Sequence, residues 1–259
     1  MADGIAGDGT VLQARRVGAM RGAYRRPCRV LPRKTSPARH RVEPVAFSSV
    51  IEQAERVAIV GTGESLKGFD LVFGGDVTVI AINGAIRLLP RTDVWFTLDP
   101  SRRNREIMAR PRPGVTYYAA VPEDYGMPSA ESPAMREPAD THVRYLRRIE
   151  GDGSGRYRTK HGLCPDKGAV HTGNSGWGAF QVARHMGARR IALFGIDGRG
   201  RYVSGGTPRQ LSMVPGLFAS AVSELLSNDV AVVNGSWIST VTCFSRMGPE
   251  EARAWLQGR

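Results

Sequence analysis

The chain has 259 residues, 41% hydrophobic and 23% charged, a length and balance suited to one large α/β domain with appendages. No apolar run approaches the ~20 residues of a membrane span, and three separated cysteines (Cys28, Cys164, Cys243) without a CxxC pair exclude a disulfide framework and a structural zinc site, pointing to a reducing cytoplasm. Of the formal charge of +12, more than half belongs to residues 1–46, which carry ten of the 36 basic residues and three of the 24 acidic ones, so the surplus does not argue for a nucleic-acid partner.

Residues 1–46 mix Gly, Pro and Arg without a hydrophobic period, which predicts a disordered basic tail, and they lack the apolar core of a signal peptide. Residues 47–259 read as a single Rossmann-like nucleotide-binding domain. Val57–Val60 is a short, wholly apolar run, as a central parallel strand requires. Further strands are predicted at Val77–Ile82, Asp93–Leu98 and Val115–Ala120, with Ser101 placed to cap a polar helix over 102–110. Residues 122–170 are rich in Pro, Gly and charge, with one short strand at His142–Ile149, and read as a lid-like insertion. A helix follows at Asn174–Met186 with a stop at Gly187, then a strand at Arg190–Phe194, a helix at Gly216–Leu226, a strand at Val230–Val233 and a helix at Glu250–Leu256. Alternating strands and helices predict a doubly wound, mostly parallel α/β sheet.

In such a sheet a ligand binds beyond the carboxyl ends of the strands, where the order reverses. Almost every predicted strand ends in small or polar residues. Gly61-Thr62-Gly63-Glu64-Ser65 would let a ligand approach the backbone and offer N–H groups to phosphate, although it lacks the third glycine of GxGxxG and the GK[ST] of a P-loop. Asn83 ends the second strand, and Asp99-Pro100-Ser101 the third. His171-Thr172-Gly173-Asn174-Ser175-Gly176 is a second glycine-bearing entry to a helix, in which His171 is a candidate general acid or base. Gly195-Ile196-Asp197 brings a carboxylate to a strand tip, and with Asp99 it could bind ribose hydroxyls or hold Mg²⁺ on a phosphate. Tyr202 lies on a glycine-rich loop, 198–206, able to close over a ligand, and Asn234 and Ser236 end the last strand. Trp177 and Trp237 read as core aromatics, Cys164 and Cys243 as inert thiols, and the basic run around Arg144–Arg148 as a solvated face.

Together, the strand–Gly-x-Gly-x-Ser-Leu turn, the Asn at the second strand end, Asp-Pro-Ser, and Thr-x-Asn-Ser-Gly followed by Gly-Ile-Asp resemble two related groups. These are the bacterial sialyltransferases of glycosyltransferase family 42 and the MptE-like 6-hydroxymethylpterin pyrophosphokinases, which include uncharacterised phage-type members. The resemblance covers roughly residues 55–245 apart from much of 122–168. It implies that Gly61, Gly63 and Ser65 line the nucleotide phosphates and sugar, that Asn83, Ser175 and Gly176 contact the donor, and that Gly195 and Asp197 border the nucleotide. By the same resemblance Tyr202 steadies the leaving phosphate, and Asn234 and Ser236 match an Asn-x-Ser at the last strand. The chain departs from the sialyltransferase pattern in having no histidine beyond His185, His171 in place of an arginine, and Glu64 in place of a proline. The expectation is a nucleotide-dependent transferase using a nucleotide-sugar donor. Its alternatives are an MptE-like pyrophosphokinase using ATP and Mg²⁺, or an inactive phage-type accessory protein that keeps the fold.

Overall fold

The sheet strands are β1 (Arg56–Val60), β2 (Thr78–Ile82), β3 (Val94–Thr97), β4 (Thr116–Val121), β5 (Val143–Ile149), β6 (Ala169–His171), β7 (Arg190–Phe194), β10 (Ala231–Asn234) and β11 (Ser245–Arg246), while β8 (Arg199–Tyr202) and β9 (Gly205–Gln210) form a separate hairpin. The helices are α1 (Arg102–Met108), α2 (Ser175–His185), α3 (Val214–Ala219), α4 (Val222–Ser227) and α5 (Pro249–Leu256). The computed structural model describes residues 52–122, 142–152 and 158–259, all within one unit, Val42–Arg259. The basic tail, including Cys28, lies outside the described residues.

The nine strands run in the order β11-β10-β7-β1-β2-β3-β4-β5-β6, and every neighbouring pair is parallel. The chain winds outward from β1 to β6, crosses back through α2, and resumes at β7 on the other side of β1. The order therefore reverses between β1 and β7. Both faces of the sheet are covered, which is why its central strands are continuous apolar runs and not alternating ones. Val57 and Ile59 face a core completed by Phe96 of β3, Trp177, Phe180 and Val182 of α2, and Leu217 and Phe218 of α3. Ala58 and Val60, one residue out of phase, face the opposite core of Phe73, Trp95, Tyr117, Ala252 and Leu256.

Helix α2 lies very close to the sheet because it presents glycine there. A Cβ at Gly178 would stand 2.6 Å from Phe96 Cε1 and 3.1 Å from Leu98 Cγ. Its first turn is capped by the Asn174 side chain, which accepts from Trp177 N at 2.8 Å, and it ends before Gly187 at φ +82.

Residues 122–170 contribute more to the sheet than an insertion would. β5 and β6 extend it by two strands, while 123–141 and 153–157 lie outside the described residues. The strand expected at His142–Ile149 is β5; arginines at 144, 147 and 148 interrupt its apolar pattern, yet Val143, Tyr145 and Leu146 are buried, which makes it part of the main sheet. The helix expected over 216–226 is two helices, α3 and α4. The Ser220 hydroxyl between them donates to Leu217 O at 2.6 Å and accepts Gly162 N–H at 2.8 Å, a local bond that competes with helix continuation. The glycine-rich segment 198–206 forms β8 and the start of β9. Trp237, expected in the core, is 60% exposed, whereas Trp177 is fully buried.

Candidate functional site

The β1–β7 pairing continues past the strand ends. Gly61 N–H donates to Phe194 O at 2.8 Å and Gly63 N–H to Gly195 O at 2.9 Å, so the two turns at the reversal point are joined directly. This proximity demands glycine. A Cβ at Gly61 would lie 2.5 Å from Gly195 O, one at Gly63 would run into the Asp197 carboxylate, and Gly195 itself sits at φ +62.

Asp197 holds the first turn in place. Its carboxylate is 3% exposed and accepts from Ser65 N at 3.0 Å, Ser65 Oγ at 2.6 Å and Ser236 Oγ at 2.9 Å. One buried acceptor group thus ties the ends of β1, β7 and β10 together, and three donors satisfy a charge that burial would otherwise make very costly.

The second glycine-bearing turn, Thr172–Gly176, reaches the same place from the far edge of the sheet. Ser175 Oγ accepts from Leu98 N at 3.1 Å and from Asn83 Nδ2 at 3.3 Å. Asn83, at φ +51, is the hub of this side. Its Oδ1 accepts from Thr97 Oγ1 at 2.7 Å and Asn104 Nδ2 at 3.1 Å, and its backbone oxygen from Trp95 Nε1 at 2.8 Å. The N–H groups of Ser175 and Gly176, in the first turn of α2, have no partner within the helix and face its open positive end.

Between the two turns lies a cleft of about 530 Å³. Gly61, Thr62, Gly63, Asn83, Asp99, Thr172, Asn174, Ser175, Gly176, Gly195, Asp197 and Tyr202 all line it. Ser65 and Ser236 do not; they support it from behind through Asp197. Asn234 is buried, donating to Val241 O at 2.9 Å, and Ser101 occupies the cap position of α1 without a side-chain capping bond. His171 also points elsewhere. Its Nδ1 donates to Gly162 O at 2.8 Å, and burial pushes its pKa below the ordinary value, partly opposed by that carbonyl, so the ring is neutral at pH 7.

Arg148, expected on a solvated face, lines the cleft, and several other lining residues were not singled out by sequence. Arg148 and Glu150 at the end of β5, Arg199, Arg201 and Arg209 on the hairpin, and the apolar Leu211 and Met213 all face the cleft. The alternation Gly198-Arg199-Gly200-Arg201-Tyr202 was the available signal for a basic hairpin. The hairpin is fastened to the first turn by a Gly63–Tyr202 bridge and by Val203 N–H donating to Thr62 O at 2.8 Å. Gly200 leaves room there for the Glu64 carboxylate, which a Cβ would strike.

The carboxylates facing the cleft do not make a protein-held Mg²⁺ site. Asp99 has no side-chain partner among the described residues, but Asp197 is saturated by hydroxyl and amide donors, and Glu150 is paired with Arg148 and Arg158. Among the described residues no group of three or more His, Cys, Asp or Glu side chains could hold a metal. Cys164 and Cys243 are free thiols whose pKa burial raises, which suppresses the reactive thiolate.

No protein-family model matches the chain, and no curated protein matches it in sequence. Two solved structures resemble it. The MAf glycosyltransferase from Magnetospirillum magneticum AMB-1 aligns with a TM-score of 0.44 and 13% identity over 83% of this chain and 38% of its own, so the chain spans about two fifths of that protein's length. The sialyltransferase CstII from Campylobacter jejuni, solved with the substrate analogue CMP-3FNeuAc, aligns with a TM-score of 0.40 and 15% identity over 75% of this chain and 86% of its own.

Proposed function

We propose that the cleft binds a nucleotide sugar and that the protein transfers the sugar to an acceptor. The observation that carries this reading is the meeting of two glycine-bearing turns and the α2 N-terminus around one cleft, at the point where the strand order reverses. Backbone N–H groups there, with the positive end of an 11-residue helix, suit a phosphate group. The pattern of residues that resembles the family 42 sialyltransferases falls on these turns and supports the same reading.

In this mechanism the open N–H groups of Ser175 and Gly176, with the positive end of α2, neutralise charge developing on the departing nucleotide phosphate, while the first turn, whose Gly61, Gly63 and Ser65 N–H groups are bonded within the protein, shapes the opposite wall. The Tyr202 hydroxyl, on the hairpin beside Gly63, adds a further donor to the leaving phosphate. Asp99 supplies a carboxylate that can accept a proton from an acceptor hydroxyl or hold a sugar hydroxyl. Asp197 acts on the turn and not on the substrate. The pyrophosphokinase alternative would require Mg²⁺, for which the cleft residues do not fit, and no step is routed through it.

The test is a nucleotide panel read by melting temperature, followed by isotopic transfer from the nucleotide sugars of the bases that bind. Ligand at 100 times its Kd stabilises by about 2.7 kcal/mol. Stabilisation by CMP, CDP or UDP and transfer of labelled sugar support the proposal. A response confined to ATP with Mg²⁺, or binding without any transfer, overturns it.

A further inference from the structure

The cleft carries positive charge that the mechanism above does not use. Of the four arginines lining it, Arg148 is paired with Glu150 at 2.9 Å, and Arg199 Nε donates to Ile238 O at 2.9 Å. Arg201 has no partner among the described residues, and Arg209 only lies over the Tyr202 ring, 5.9 Å from its centroid. Both guanidinium groups are exposed and face the cleft from the hairpin that is bonded to the Gly61–Gly63 turn. They therefore share one cleft with the open N–H groups of Ser175 and Gly176, which receive the first phosphate in the reading above. On that side the neighbouring carboxylates are Asp197, whose oxygens are already taken by Ser65 and Ser236, and Glu64, which packs against Gly200 of the hairpin and forms no ion pair with Arg201 or Arg209 among the described residues. The unpaired carboxylate of the cleft, Asp99, belongs to the end of β3 instead.

Two free guanidinium groups in the same cleft as a phosphate seat present a fork geometry suited to a second phosphate. A ligand with one phosphate would leave both unused. A diphosphate carries charge that must be compensated by a metal ion or by cationic side chains, and the described residues provide the latter and no cluster for the former. The geometry points to Arg201 and Arg209 as a second anion seat that takes the outer phosphate of a nucleoside diphosphate donor without a protein-held metal. This rests on the reading of the cleft as a nucleotide site and names the donor class for it.

Isothermal titration of the full chain with CMP, CDP, UMP and UDP, in EDTA and again in Mg²⁺, tests the inference. In EDTA the diphosphates should bind about tenfold or more tightly than the monophosphates, the scale of one charge-assisted hydrogen-bond pair. In the double variant Arg201→Ala/Arg209→Ala that ratio should fall close to one, while monophosphate affinity changes by about twofold at most and the melting temperature is unchanged. The ratio should also shrink as salt rises, because the seat is exposed. Equal affinity for mono- and diphosphates overturns the seat alone, as does a preference that appears only with Mg²⁺ or survives in the double variant. An arginine-dependent preference for a nucleoside monophosphate bearing an acidic sugar, in place of the diphosphates, also overturns it and assigns the pair to a carboxylate. Failure of every nucleotide to bind overturns the functional proposal as well.

Discussion

The two sides of the cleft are built on opposite principles. The wall formed by the ends of β1, β2, β3 and β7 is largely buried and cross-bonded: Asp197 receives three hydrogen bonds, Asn83 receives three and donates one to Ser175 Oγ, and glycines stand where a side chain would collide. The wall formed by the β8–β9 hairpin is exposed, joined to the body at Gly63, Thr62 and Ile238, and furnished with cationic side chains. The first wall can orient its groups before a ligand arrives, because the side chains of Asp197, Asn83 and Ser175 are each fixed by hydrogen bonds. The second can contribute charge at small cost to stability, because Arg201 and Arg209 are exposed and their charge is not desolvated by folding. Mutations should therefore separate the two, with folding energy lost on one side and ligand affinity on the other.

The largest effect is expected at Asp197. Asp197→Ala leaves three donors, one buried and two partly buried, without an acceptor, and equilibrium unfolding in urea should show a loss of about 3 kcal/mol or more, with nucleotide affinity falling alongside it because Ser65 is no longer held. Retention of full stability would show that the rigid wall does not depend on this carboxylate. Gly63→Ala follows, at about 1–3 kcal/mol, since its methyl group would displace Asp197 or the Gly195 carbonyl 2.8 Å away. Ser175→Ala removes the acceptor for Leu98 N–H and Asn83 Nδ2 and should cost about 1 kcal/mol, measured in the same way.

A pH titration sharpens the contrast further. Burial lowers the pKa of both His171 and His185 below the ordinary 6.5, so the unfolded chain takes up protons before the folded one does. Stability should fall as pH drops below about 6.5, and His171→Gln should flatten that part of the curve of melting temperature against pH. A curve unchanged in the variant would contradict the buried, neutral imidazole. At the small end, Arg201→Ala should alter stability by no more than about 0.5 kcal/mol, because the side chain contacts nothing that folding orders. A larger loss would mean that the hairpin is part of the rigid wall after all.

Much of the frame was legible from local pattern. The runs Val57–Val60, Val77–Ile82 and Arg190–Phe194 read as strands because strands buried on both faces need unbroken apolar residues, and Asn174 and Gly187 mark the two ends of α2 through capping chemistry. β5 read as a short strand but not as a member of the main sheet, because its charged residues find partners elsewhere in the fold: Arg147 pairs with Asp166, and Arg144 donates to the Tyr118 hydroxyl at 3.1 Å. β6, three residues long, carries too short a pattern to be recognised before its neighbour in the sheet is known.

The candidate site divides along the same line. That glycines and small polar residues gather at the strand ends is a property of the chain order, and it was visible without coordinates. Which of those residues face the cleft is not, because strand ends place residues on two faces and the choice depends on what packs behind them. Ser65 and Ser236 turn inward to Asp197, His171 turns to a carbonyl, and Arg148 and the hairpin arginines turn toward the ligand space. Sequence alone determined a parallel α/β sheet with polar strand ends, since periodicity and capping act over a few residues. Only the tertiary structure decided the assignment of supporting and facing side chains, since those bonds join different elements, up to 132 positions apart for Ser65 and Asp197.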